Sequence, residues 1–338
     1  DSGRILAGKD ADTAYPMAST TKILTCILAL EQGNPDDWVE VSEKAASMPD
    51  VQLNMRAGER YRLSDLLYSL MLESHNDTAV AIAEHLGGSV SGFAEKMNQK
   101  AKLLGMSSTH FITPNGLDAN GHYSTASDMC KLASYAMKNK DFLSLVQTKS
   151  HSFSDCSGKY HYSLTNHDAF LSYYEGALGI KTGFTGKAGY CYVGALTKGE
   201  KSFTIALLAC GWPNNRTWKW HDARLLLEYG LEAFDQRSLQ QPDLPKTLLV
   251  ENGQLAKVSL NCPKKEIRML LSRGDQTDVR VSLPGQLTAP VEKGEQVGTV
   301  SYLVNGALYE QLPVTAAFGV PKITYCYCLK RLLALVLL

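Results

Sequence analysis

Ser19-Thr20-Thr21-Lys22 opens the run Ile23-Leu24-Thr25-Cys26-Ile27-Leu28-Ala29-Leu30, which is apolar on nearly every side. A helix apolar all round belongs in an interior. The stretch therefore predicts a buried central helix with a serine at its N-terminus and a lysine one turn on. Residues three apart share a helix face, so Ser19 Oγ and Lys22 Nζ can meet. A serine hydroxyl is a weak nucleophile without a base beside it. Lysine can be that base when desolvation or a nearby positive field lowers its pKa. The positive end of the helix disfavours protonated Lys22 and favours a developing oxyanion. Alone, such a tetrapeptide is more often a capping serine and a surface lysine. Here it is the chain's single Ser-x-x-Lys, and two further elements follow it.

At 338 residues and 44% hydrophobic content, the chain can bury a large core and divides by size into two domains. The 34 basic and 34 acidic side chains balance, with no basic stripe bearing interleaved aromatics, so no nucleic-acid partner is expected. Asp1-Ser2-Gly3-Arg4-Ile5-Leu6 reads as a turn entering a strand. Neither an earlier strand nor a charged-then-apolar export segment precedes it, as expected for a processed or trimmed chain. The eight cysteines are scattered without a Cys-x-x-Cys, which gives zinc or thioredoxin-type chemistry little support. Cys26, Cys191 and Cys210 lie in apolar patterns and read as small buried hydrophobes. No metal or cofactor is expected.

Residues 5 to 17 are expected to form a short strand and a turn that delivers Ser19. Gly33-Asn34-Pro35-Asp36 stops the first helix. The segment 38–62 is turn-rich and partly extended. Leu63, Leu66, Leu67, Leu70 and Met71 recur at helical period until Ser74-His75-Asn76-Asp77 interrupts them. Two more helices follow, ending at Gly87-Gly88 and Gly105. Thr109 to Tyr123 is a Gly/Pro/Asn-rich loop containing Pro114-Asn115-Gly116-Leu117-Asp118, and a further helix runs from about 125 to 139. Two strand-like runs flank Lys198-Gly199-Glu200, a hairpin signal, and a helix from about 220 to 234 follows. The expected first domain, 1–238, is thus α+β, with helices on an antiparallel sheet. Gln240-Gln241-Pro242-Asp243-Leu244-Pro245 reads as a linker, and 243–320 as a small all-β sandwich domain. The tail 323–338 carries Lys330 and Arg331 before Leu332-Leu333-Ala334-Leu335-Val336-Leu337-Leu338. It is shorter than the roughly 20 apolar residues that span a bilayer, and its basic, apolar character suits docking at a membrane surface. Packing against its own domain or a neighbour is the competing reading.

Ser74-x-Asn76 lies between helices, where a loop can point both side chains into a cleft. Ser74 can shuttle a proton there, and Asn76 can hold a substrate amide and tie down Lys22. A second Ser-x-Asn at Ser259-Leu260-Asn261 shows how weak this element is alone. Lys181-Thr182-Gly183 leads into the hairpin. Lys181 and Thr182 can grip a carboxylate, and Gly183 lets a substrate backbone approach.

In that order, the three elements resemble the penicillin-recognising serine acyltransferases. Pro16-Met17-Ala18-Ser19-Thr20-Thr21-Lys22, Asn76-Asp77-Thr78-Ala79, Gly121-His122-Tyr123-Ser124-Thr125 and Gly179-Ile180-Lys181-Thr182-Gly183-Phe184-Thr185 narrow this to the low-molecular-mass penicillin-binding proteins, specifically the D-alanyl-D-alanine carboxypeptidases. The resemblance covers about residues 1–235. Beyond that it rests on layout, a β domain and then an amphipathic tail. It implies a β-lactamase/transpeptidase-like fold, with Ser19, Lys22, Ser74 and Asn76 catalytic and Lys181, Thr182 and Gly183 binding substrate. Ser19 would remove the terminal D-Ala of peptidoglycan stem peptides, and β-lactams would acylate it. The implied location is the bacterial cell envelope, at the outer face of the cytoplasmic membrane. Two departures stand out. His75 replaces the usual glycine, and it is either a group that titrates near neutral pH or a tolerated loop side chain. The first core strand is also missing. Two alternatives are a non-catalytic penicillin-binding sensor module and a class A β-lactamase. The latter needs a glutamate to activate water, where the 109–118 loop offers only Asp118. Arg216 is a candidate for carboxylate recognition or for an exposed salt bridge.

Overall fold

Helix α1, Lys22–Gln32, buries every side chain from Lys22 to Ala29. Ile23, Leu24, Ile27 and Leu28 are all 0–1% exposed. Each such side chain contributes about 1.5–3 kcal/mol by leaving water, enough together to hold Lys22 in the interior with them. Gly33 ends the helix where Leu63 closes in, because a Cβ there would lie 2.5 Å from Leu63 Cδ2.

The structure is a computed structural model that describes residues 3–336. One compact unit is formed by Gly3–Glu232, and a second begins at Ala233. In the first unit, short strands β1 (Trp38–Glu40) and β2 (Arg60–Arg62) pair antiparallel on either side of helix α2 (Glu43–Ala46). Helix α3 (Leu63–Tyr68) runs into a π-helical turn, Ser69–Glu73, followed by α4 (Asn76–Gly87) and α5 (Val90–Leu103). Helices α6 (Ala126–Ala136) and α7 (Lys140–Gln147) follow the long loop. Thr125 caps α6 by accepting from Asp128 N, and Asn139 caps α7 by accepting from Asp141 N and Phe142 N. α4, α6, α7 and the π-helical turn pack on α1. A hairpin of β3 (Ser150–Ser154) and β4 (His161–Thr165) precedes the short helix α8 (Phe170–Tyr173). Next come β5 (Ala177–Thr185), β6 (Gly189–Lys198) and β7 (Lys201–Leu207), an antiparallel sheet in that order, and helix α9 (Trp218–Ala233).

The expected strand between residues 5 and 17 does not form. A strand needs a ladder partner, and the pairing of this stretch is a single bridge, Tyr15 to Ser124.

The second unit starts with β8 (Phe234–Leu239), paired with β11 (Ile267–Ser272). The expected linker, residues 240–245, therefore lies inside this unit, and the division falls ahead of residue 238. A six-stranded sheet runs in the order β12 (Thr277–Ser282), β14 (Gln296–Val304), β15 (Ala307–Ala316), β10 (Lys257–Asn261), β9 (Thr247–Glu251), β13 (Gln286–Thr288). Ile267 and Met269 from the pair and Val258, Val300, Tyr302 and Val314 from the sheet share one core. Helix α10, Tyr325–Val336, buries none of its residues. Among the described residues, no helix is long and apolar enough to cross a membrane. Leu337 and Leu338 lie outside the described residues.

Candidate active site

Ser19 sits in a 3-10 turn, Ala18–Thr21, immediately ahead of α1. Two glycines shape this turn. Gly183 of β5 is where the sheet meets it, since a Cβ there would lie 2.9 Å from Ser19 N. Gly116, at φ +84°, lies against Ala18, and a Cβ there would lie 1.9 Å from the Ala18 carbonyl oxygen. Thr25 Oγ1 donates to Pro114 O at 2.7 Å, tying that loop to α1. His122 adds a second tie. Its Nδ1 accepts from Ile112 N at 3.0 Å, so Nε2 carries the proton toward Thr21 Oγ1, also at 3.0 Å.

Lys22 is 0% exposed. Its Nζ lies 3.0 Å from Ser19 Oγ, 2.8 Å from Asn76 Oδ1 and 2.7 Å from Asn115 O. Burial holds its pKa well below the usual lysine value, and the charge of Lys181 lowers it further against an opposing pull from Asp77. A neutral amine has two N–H bonds and one lone pair. Asn76 Oδ1 and Asn115 O are pure acceptors and take both N–H groups. In that neutral form the lone pair is left for the Ser19 hydroxyl to donate to. Asn76 is held in the required orientation because its Nδ2 donates to Pro49 O and Asp50 O, both at 3.1 Å.

Ser74 adopts a left-handed conformation, φ +72°, between the π-helical turn and α4. Its Oγ is buried without a hydrogen-bond partner among the described residues. Such a group costs ~1–3 kcal/mol until a ligand supplies a partner. His75, in the link ahead of α4, is buried. Its Nδ1 lies 2.8 Å from Ser69 Oγ and its Nε2 3.3 Å from Glu73 Oε2. Burial pushes its pKa down to about 4, outweighing the opposing pull of Glu73. It is therefore neutral at pH 7.

Lys181 is buried, and burial lowers its pKa to about 8 against an upward pull from Asp168. Its Nζ donates to Thr182 O at 3.3 Å. Lys22 thus touches both Ser19 and Asn76 and Gly183 abuts the turn, while Lys181 acts on Lys22 and His75 through its charge. Thr182 is half-buried. Arg216 is exposed, and its carbonyl accepts from Lys219 Nζ at 3.1 Å. Sequence reasoning missed the carbonyl of Asn115. The Pro-Asn-Gly turn at 114–116 was the available signal.

A hydroxyl in contact with a buried amine of lowered pKa, at a turn braced by a strand edge, has the chemistry of a serine acyl-transfer site. The comparisons with known proteins narrow the class. Residues 1–209 match the peptidase S11 family, D-alanyl-D-alanine carboxypeptidase, and residues 234–322 match the C-terminal domain of penicillin-binding protein 5. D-alanyl-D-alanine carboxypeptidase DacF of Bacillus subtilis is 30% identical over 340 residues, covering 98% of this chain and 86% of its own. DacA of Escherichia coli K12 is 28% identical over 345 residues, covering 95% and 82%. The crystal structure of penicillin binding protein 5 from Haemophilus influenzae superposes with TM-score 0.76 at 25% identity over 94% of both chains. That of the Streptomyces K15 DD-transpeptidase gives TM-score 0.62 at 34% identity, over 67% of this chain and 91% of the other. The chain belongs to the peptidase S11 family and is a serine-type D-Ala-D-Ala carboxypeptidase.

Proposed function

We propose that Ser19 is the acylated residue and that the substrate is the D-Ala-D-Ala terminus of a peptidoglycan stem peptide. The observation that carries this is the contact between Ser19 Oγ and the buried Lys22 amine. Lys22 takes the hydroxyl proton as Oγ attacks the penultimate D-Ala carbonyl. The tetrahedral oxyanion is met by backbone N–H groups, that of Ser19 among them. The C–N bond breaks, and the proton passes from Lys22 through Ser74 to the leaving amine of D-Ala. Lys181 and Thr182 hold the terminal carboxylate. Water, activated by Lys22, then cleaves the Ser19 ester. β-Lactams enter by the same attack and stay attached as a stable ester. Mass spectrometry after exposure to penicillin should place the adduct on Ser19, and Ser19→Ala should abolish both adduct and D-Ala release. An adduct on any other residue would defeat the reading.

This substrate puts the enzyme in the bacterial cell envelope. We infer that α10 docks it to the outer face of the cytoplasmic membrane. Leu329, Leu332, Leu333, Leu335 and Val336 are exposed, and Lys330 and Arg331 lie among them to meet anionic headgroups. Deleting residues 323–338 should abolish sedimentation with anionic lipid vesicles. Equal partitioning of the full and shortened chains would rule the docking role out.

A further inference from the structure

Asp168 is a buried carboxylate, 7% exposed, with no part in the steps above. It lies in the segment between β4 and α8, and that segment reaches both substrate-facing elements. At one end, Thr165 N donates to Glu73 Oε1 at 2.7 Å, and the other oxygen of Glu73 meets His75 Nε2. Next to it, His167 N donates to Leu72 O at 3.2 Å. Asp168 itself faces β5. Its Oδ2 accepts from Ile180 N and from Tyr192 Oη, both at 3.2 Å, and its Oδ1 accepts from Phe170 N at 3.0 Å. Ile180 is the residue before Lys181.

We propose that Asp168 is the positioning residue of Lys181: this buried side chain fixes the strand at Ile180, and its negative charge acts on the amine, keeping Lys181 a cation that can take the substrate's terminal carboxylate. The proposal rests on the reading of Lys181 as the carboxylate-binding group. The charged and titratable groups that act on the pair come from four elements. Lys22 of α1 and His75 at the start of α4 sense the charge of Lys181. Tyr192 of β6 and Lys219 of α9 interact with Asp168. Burial raises the pKa of Asp168, while two backbone N–H groups, the Tyr192 hydroxyl and the charge of Lys181 pull it back toward the anion. Lys22 and Lys181 are both buried, yet they need opposite protonation. The charge of Asp168 acts on the amine that has to stay charged and raises the pKa of Lys181.

The test is D-Ala release from a stem-peptide analogue, measured as kcat/KM against pH. The native enzyme should lose activity on the alkaline side near pH 8, as Lys181 gives up its proton. In Asp168→Asn this limb should move to lower pH by about one unit. At pH 7.5, KM should then rise about threefold with a smaller change in kcat. In Lys181→Arg the guanidinium stays charged, so the limb should vanish, and adding Asp168→Asn should no longer move the profile. A limb that survives Lys181→Arg overturns both the proposal and the role given to Lys181. A limb that vanishes there but stays unmoved in Asp168→Asn overturns the proposal alone. Should Asp168→Asn not fold, Tyr192→Phe weakens the same anion by removing one donor, and the limb should move in the same direction. An unmoved limb in that variant also overturns the proposal.

Discussion

Lys22→Arg is expected to lower kcat for D-Ala release by roughly 10²- to 10⁴-fold, the range for loss of a general base. The substitution keeps a positive charge and a long side chain. What it removes is the ability to lose a proton, because a guanidinium is never neutral in a protein. A site that needs only a cation near Ser19 would keep much of its activity. The geometry argues otherwise, since both N–H groups of the neutral amine are committed to Asn76 and Asn115, and only the third direction faces the hydroxyl. Acylation by penicillin should fall in parallel. Stopped-flow acylation rates, with circular dichroism to verify folding, would decide the matter. An acylation rate within tenfold of native would sink the role given to Lys22.

Gly116→Ala is expected to lower kcat/KM at least about a hundredfold, although residue 116 carries no chemistry. A misplacement of about 1 Å at a reacting group is enough for such a loss. Two costs combine. A side chain at φ +84° is strained, and its Cβ would lie 1.9 Å from the Ala18 carbonyl oxygen, which is backbone beside Ser19. The turn has to shift. Left-handed strain and enforced repacking together should cost about 2–4 kcal/mol of stability. Gly58 is the matched control, with the same φ of +84° and nothing within 4 Å of its Cβ position. Gly58→Ala should show only the strain, about 1–2 kcal/mol, and near-native turnover. Equal losses of activity in the two variants would show that the turn does not depend on this contact.

Much of the site was legible because its elements are local. Ser19 and Lys22 are one turn apart, and the apolar run after them announces burial. Asn76 was legible as a partner of Lys22 through the order of the three motifs. The carbonyl of Asn115 was not, because a backbone atom leaves no side-chain signature. His75 reads as an anomaly in sequence. Its role comes from Ser69 and Glu73, which meet it through the π-helical turn. In the fold, Asn139 reads as the end of a helix, whereas it also caps the next one. The hairpin of β3 and β4 hides because Phe153 and Leu164 are its only buried side chains. Two buried positions in ten give little alternation to detect.

The three contacts of the Lys22 amine have a consequence for the life of the chain. Residues 22, 76 and 115 come from distant parts of the sequence, and before they meet, position 22 is an ordinary hydrated ammonium. The nascent polypeptide is thus chemically harmless, with a serine no more reactive than its neighbours. Reactivity arises at the moment of assembly, so the completed tertiary structure serves as the enzyme's own activation step.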